Sequence, residues 1–231
     1  EWIVALIISH RYKFIFIKTR KTAGTSIEIA LSKLCDEKDV VTELGEKEEI
    51  KERFGYTGAR NFRVPAMQWT VSDIMKLPLR GAPVFTSHCP AVYVRDRVPR
   101  RVWEEYYIFV FERNPYDRIV SQYFWNTRHT HESIHEYIER AAEYRLSNWK
   151  MYTDGDEIIV DHVARFENLS EELDAISCKL GLPAPIDLAR AKTEYRPREN
   201  TQEILDEKIC STIADVCARE IARFGYSRPM S

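Results

Sequence analysis

One junction, repeated along the chain, narrows the fold more than any other feature. Tyr12 to Ile17 reads as a short buried strand rich in β-formers, and its apolar run Phe14-Ile-Phe-Ile17 gives way to Lys18-Thr-Arg-Lys-Thr-Ala-Gly-Thr-Ser26. From Ile27 the apolar residues return at helical spacing, at Ile27, Ala30, Leu31 and Leu34. The change recurs at Ile108-Phe-Val-Phe111, after which Pro115 opens a helix reaching Trp125. It recurs again at 158–166, a strand-like stretch followed by helical periodicity over 170–180 with Gly181 and Pro183 as its stop. Strands alternating with helices predict a parallel α/β sheet with helices on both faces. The expectation is one α/β domain over residues 1–231, with a central, mainly parallel sheet flanked by helices. At 231 residues and 44% hydrophobic content, the chain can bury the core such a fold needs.

Between these junctions the pattern predicts a strand at Pro83–Ser87 and helices near 46–53, at 134–144 and at 201–224. The last carries Leu205, Ile209, Ile213, Val216 and Phe224 on one face and stops at Gly225. Thr25-Ser-Ile-Glu28 has the form of a capping box, which predicts the start of the first helix. The segment 183–200 is rich in proline and arginine and reads as a loop.

The polar turn after Ile17 asks for an anion. A helix leaves its first N–H groups unpaired, and its dipole places about half a positive charge there. A phosphate at that point meets donors the fold already supplies. Gly24 permits close backbone approach, Thr22, Thr25 and Ser26 offer hydroxyls, and Lys21 brings a mobile charge. The order is not that of a Walker A loop, whose lysine follows its glycines; here Lys21 precedes Gly24. In the second junction, Phe109-Val-Phe-Glu-Arg-Asn-Pro-Tyr-Asp-Arg-Ile-Val-Ser-Gln-Tyr123, Arg113 ends a strand and Ser121 stands about two helical turns on. A guanidinium fork and a hydroxyl in that relation can hold a second phosphate. The bland alternatives are a solvated turn and surface ion pairs, which contribute little.

These two motifs, in this order and each after a strand, closely resemble the sulfotransferases that use 3′-phosphoadenosine 5′-phosphosulfate (PAPS). Residues 18–26 resemble their 5′-phosphosulfate loop and 113–121 their 3′-phosphate segment. Arg165-Phe-Glu-Asn-Leu169 and Arg223-Phe-Gly-Tyr226 are similar to segments of the carbohydrate-sulfotransferase branch and its bacterial relatives. The resemblance runs from about Tyr12 to Tyr226. It implies a P-loop-like three-layer fold, PAPS as donor, adenosine 3′,5′-bisphosphate (PAP) as product, no required metal, and an acceptor hydroxyl, best guessed as a saccharide's. It implies that Lys21 meets the phosphosulfate, with Thr22, Ala23, Gly24, Thr25 and Ser26 around the 5′-phosphate. Arg113 and Ser121 would hold the 3′-phosphate, and His88, in Thr86-Ser-His-Cys-Pro90, takes the position of the catalytic base. Arg196, with Arg198, lies in the 183–200 loop, where this family often closes over its cofactor. Trp149 and Tyr195 are candidates for stacking on adenine.

Composition excludes several other classes. A formal net charge of −2 gives no global field for nucleic acid. The five cysteines are scattered and form no C-x-x-C pair, which argues against a disulfide framework or a cysteine zinc site and favours a reducing compartment such as the cytoplasm. Trp2–Ile8 is too short to span a bilayer, although a chain opening without Met is compatible with a removed anchor. His131 and His135 share a helix face at i, i+4 spacing but lack an accompanying carboxylate motif, and with His129 they read as solvated. Two competing functions remain: a nucleotide-dependent kinase with an altered phosphate loop, and a non-catalytic nucleotide- or carbohydrate-binding module.

Overall fold

The computed structural model describes residues 6–43, 55–86, 88–188 and 204–228. Strands Leu6–Ser9 (β1) and Phe14–Ile17 (β2) form an antiparallel hairpin, α1 (Gly24–Ser32) leaves β2, and Val40–Val41 (β3) pairs antiparallel with β1. Helices α2 (Val71–Arg80), α3 (Ala91–Arg95) and α4 (Arg100–Glu105) precede β4 (Tyr107–Glu112), which lies parallel to β2. Then come α5 (Pro115–Thr127), α6 (Ile134–Arg140), α7 (Glu143–Leu146) and α8 (Trp149–Tyr152). A small hairpin, β5 (Thr153–Asp154) with β6 (Glu157–Ile158), stands outside the main sheet. Strand β7 (His162–Arg165) joins β4 in parallel, and α9 (Leu169–Leu180), α10 (Glu207–Val216) and α11 (Ala218–Phe224) complete the described elements.

The order β3-β1-β2-β4-β7 contains two parallel and two antiparallel neighbour pairs, so the sheet is mixed rather than mainly parallel. The difference arises at the start of the chain. Leu6–Ser9, whose apolar run was weighed only as a membrane span, folds back on β2 through residues 10–13, where Lys13 takes the left-handed conformation (φ 50°). Glycine or asparagine usually marks such a turn; neither is present here.

Alternation of side chains explains why helices cover both sheet faces. Leu6, Ile8, Ile15, Ile17, Ile108 and Val110 pack with Val94, Met151 and Tyr152 on one side. Ile7, Phe14, Phe16, Phe109, Phe111 and Ala164 pack with Ile27 and Leu31 of α1 and Leu173 and Ile176 of α9 on the other. A third cluster joins α5, α6 and α10 through Ile119, Val120, Ile134, Ile138, Ile209 and Ile213.

Five local expectations change. The Thr25–Glu28 capping box does not form: α1 starts at Gly24 after a left-handed Ala23, and Glu28 pairs instead with Lys18. Pro83–Ser87 is not a sheet strand; Val84 makes an isolated bridge to Arg63, and Phe85 donates its N–H to the Phe62 carbonyl. The 134–144 helix divides where Ala141 turns extended (ψ 125°), and the 158–166 strand shortens to β7 because Ile158 belongs to the hairpin. The last helix breaks at Cys217 (φ −107°, ψ 22°), which turns α11 so that Glu220 reaches the interior. The expected helix at 46–53 lies outside the described residues, as do Tyr195, Arg196 and Arg198.

Candidate functional site

Strands β2 and β4 are adjacent and parallel, so their carboxyl ends open side by side. That is where an α/β sheet presents its ligand crevice. Both sequence motifs start there.

The turn from β2 to α1 is concave. Lys21 (φ 59°) and Ala23 (φ 58°) are left-handed and flank Thr22, an alternation that gathers successive backbone N–H groups toward one point. No side chain caps α1, so its first-turn donors face the turn without a capping oxygen. Thr22 is buried, and its hydroxyl lies 2.9 Å from that of Thr19, which donates to the Phe111 carbonyl of β4. This ties the turn to the neighbouring strand. Ser26 is half-buried at the end of the turn.

Beneath the turn runs Lys18, 6% exposed, with its ammonium 3.2 Å from both the Thr25 hydroxyl and Glu28 Oε2. Gly24 sits on this side chain: a Cβ there would lie 2.5 Å from Lys18 Cγ. The glycine is needed for that close approach. Lys21 is half-buried and places its ammonium 4.9 Å from the centroid of the Trp125 ring of α5.

Arg113, at the end of β4, is 6% exposed. Its Nη1 donates to the Lys21 carbonyl at 3.4 Å, its Nη2 lies 3.6 Å from Asp117, and its guanidinium stacks 4.5 Å over Phe166. The two motifs therefore meet through Arg113. Asn114 caps α5 by accepting from the Tyr116 N–H, with Pro115 in the first turn. Ser121 stands half-buried on α5, one turn before Trp125.

His88 is a third contributor. Its Nδ1 lies 3.0 Å from the Lys18 carbonyl. A carbonyl only accepts, so Nδ1 carries the proton and the neutral ring keeps its lone pair on Nε2. His88 is also left-handed (φ 48°). Among the described residues five non-glycine positions are left-handed, and three of them, Lys21, Ala23 and His88, lie in this site. Strain of this kind persists only where surrounding contacts enforce it.

A buried polar network supports both turns. Asn148, fully buried, accepts from the Arg20 N–H (3.1 Å) and donates to the Arg20 carbonyl (3.2 Å) and to Glu112 Oε1 (3.3 Å). Glu112 also accepts from the Tyr152 hydroxyl (3.0 Å) and the Arg113 N–H (2.9 Å). Arg118 lies between Glu112 (3.4 Å) and Glu220 (3.8 Å) with none of its side chain exposed. Glu220 accepts from Ser147, Asn148 and Trp149. One guanidinium thus faces two carboxylates. Burial pushes the Glu112 carboxyl up to about 6, against the pull of Arg118.

Glu112 is therefore a structural carboxylate and Asp117 an ion-pair partner. Trp149 is 7% exposed and packs edge-on to Tyr152 in the core, which corrects its reading as an adenine platform. His135 hydrogen-bonds Asp206 at 2.7 Å. Lys18, Asn148 and Glu220 were not singled out from the sequence, and Arg118, weighed there only as a surface ion pair, is fully buried. Lys18 had a visible sign, a lysine at the end of an apolar strand; Asn148 had none, lying 128 residues from Arg20.

Comparison with known proteins agrees with the family resemblance. A model described as a sulfotransferase family matches residues 4–227. An uncharacterized protein from Archaeoglobus fulgidus is 33% identical over 105 residues, 43% of this chain and 88% of that protein. No solved structure matches.

Proposed function

The chain belongs to the sulfotransferase family, and from that premise we propose that it moves the sulfuryl group of PAPS to an acceptor hydroxyl, a saccharide's by preference, within a single P-loop-like domain over 1–231. The observation that carries this reading is the junction of the two motifs: Arg113 reaches the Lys21 carbonyl beside the uncapped start of α1. One nucleotide bearing phosphates at both ends suits two anion-holding turns in contact. A nucleotide phosphorylated only at its 5′ end would bring no second phosphate to Arg113.

In this mechanism the β2–α1 turn, Thr22 through Ser26, holds the 5′-phosphate, while Arg113 and Ser121 hold the 3′-phosphate. The acceptor oxygen attacks sulfur and forms the new S–O bond. The bond from sulfur to the phosphate oxygen breaks, and its electron pair stays on PAP. Lys21 meets the charge growing on that oxygen. His88 takes the acceptor proton at Nε2, while its Nδ1–H bond to Lys18 fixes ring orientation and tautomer. The left-handed backbone at His88 supports such a role, since strain is retained where orientation matters. Arg196 is carried from the family resemblance alone as a further donor-binding cation. Among the described residues no helix is long and apolar enough to cross a membrane. The five scattered cysteines, without a C-x-x-C pair, support a cytoplasmic setting.

The test is sulfate transfer from PAPS to a panel of oligosaccharides, phenols and lipid-linked sugars. Lys21→Ala should abolish transfer while leaving the melting temperature within a few degrees of wild type. Full turnover by that variant contradicts the mechanism. Stabilisation by Mg-ATP but not by PAP would return the chain to the kinase reading.

A further inference from the structure

Lys21 is held at both ends by different parts of the fold. Its backbone is left-handed (φ 59°) in the β2–α1 turn, and its carbonyl accepts from Arg113 Nη1 at 3.4 Å. Its side chain crosses to α5, where the ammonium lies 4.9 Å from the centroid of the Trp125 ring. Trp125 follows Ser121 by one turn of that helix, so the two side chains share a face. The lysine stem thus ties the first motif to the helix that carries the second. A lysine on its long flexible stem otherwise samples many positions, and fixing it costs entropy. An indole within about 6 Å attracts the cation through the ring quadrupole and narrows that range.

The ring is itself restrained. Trp125 is half-buried, and the Arg128 guanidinium packs 4.2 Å from the ring centroid while Arg128 Nη1 donates to the Trp125 carbonyl. Arg128 is also the C-terminal cap residue of α5, so this contact sits at the fixed end of the helix. We propose that Trp125 is a positioning residue for sulfuryl transfer, its indole holding the Lys21 ammonium between the 5′-phosphate turn and Ser121, where the departing oxygen gains charge. The inference rests on the sulfotransferase reading of the two turns. Trp125 acts through Lys21 and touches neither donor nor acceptor. What the role requires is the electron-rich face of the ring, not its bulk.

The experiment compares steady-state transfer from PAPS and calorimetric PAP binding in the full chain and its Trp125 variants. Trp125→Leu should lower kcat about 10-fold while KM for PAPS and PAP affinity stay within about twofold. Trp125→Phe, which keeps an aromatic face, should recover most of that loss. Mono-, di- and trifluorinated tryptophan placed at Trp125 keep the shape while withdrawing electrons from the face, so kcat should fall stepwise along the series. Packing alone would leave it level. A readout apart from activity is the Lys21 ε-proton resonance, which the ring should shift upfield in wild type and release in Trp125→Leu. Full kcat throughout the fluorinated series, or an unshifted Lys21 resonance in wild type, overturns this proposal while transfer by wild type still stands. A wild type that neither binds PAP nor transfers sulfate overturns the sulfotransferase reading, and the proposal with it.

Discussion

Replacing Gly24 by alanine tests how the turn from β2 to α1 is supported. The glycine is helical with no left-handed requirement, so the substitution carries little backbone penalty. The penalty is steric: the new Cβ would meet Lys18 Cγ at 2.5 Å, Cε at 2.8 Å and Cδ at 3.0 Å. Lys18 cannot swing aside cheaply, because its ammonium is held by Thr25 and by Glu28, which is wholly buried. Displacing it separates a buried ion pair, a loss of about 3–5 kcal/mol when one partner is removed outright. Partial relaxation of the turn should bring Gly24→Ala to about 3 kcal/mol, measured by urea denaturation at pH 7. In a Lys18→Ala background all three nearest atoms are gone, and the added cost of Gly24→Ala should fall below about 1 kcal/mol, a coupling of roughly 2 kcal/mol. A Gly24→Ala protein within about 0.5 kcal/mol of wild type, or costs that simply add, would refute the reasoning.

Three further outcomes follow from the site. Glu112 titrates in the folded chain at about 6 against an ordinary 4.5, so folding takes up a proton between those values. Its stabilising share, about 2 kcal/mol, is complete below pH 4.5 and gone once pH passes 6; thermal melts across that window should show a slope that Glu112→Gln lacks. Asn148→Ala strips the Arg20 N–H and carbonyl and Glu112 of a buried partner, and should cost about 2–3 kcal/mol by denaturation while loosening PAP binding. His88→Ala should lower kcat by about 10² to 10⁴ with KM for PAPS little changed, the pattern of a lost general base; an equal loss in both constants would make it a binding residue.

The strand–turn–helix junctions were legible because each joins three local signals: a β-rich apolar run, a polar turn and a return to helical spacing. The strands expected at 12–17 and 108–111 form as Phe14–Ile17 and Tyr107–Glu112, and Pro115 opens α5. The β1 strand was missed because three apolar residues and a serine followed by a turn without glycine leave no period to read. Thr25-Ser-Ile-Glu28 misled because a capping box and a buried Lys18–Glu28 pair draw on the same residues, and the tertiary ion pair won. Within the site, Lys21, Arg113 and His88 could be named from motif order, and the fold brings them to one place through the Lys21 and Lys18 carbonyls. The Asn148–Glu112–Arg118–Glu220 network could not be read, since each link spans elements whose neighbours only the sheet order decides.

The account stands most directly on nucleotide discrimination. Calorimetric titration without magnesium should show wild type binding adenosine 3′,5′-bisphosphate at least 10-fold more tightly than adenosine 5′-monophosphate, a difference of about 1.4 kcal/mol or more. In Arg113→Ala that gap should close, with monophosphate affinity nearly unchanged. Equal wild-type affinity for the two nucleotides, or a gap that survives the loss of Arg113, would contradict the claim that the two turns grip one doubly phosphorylated donor.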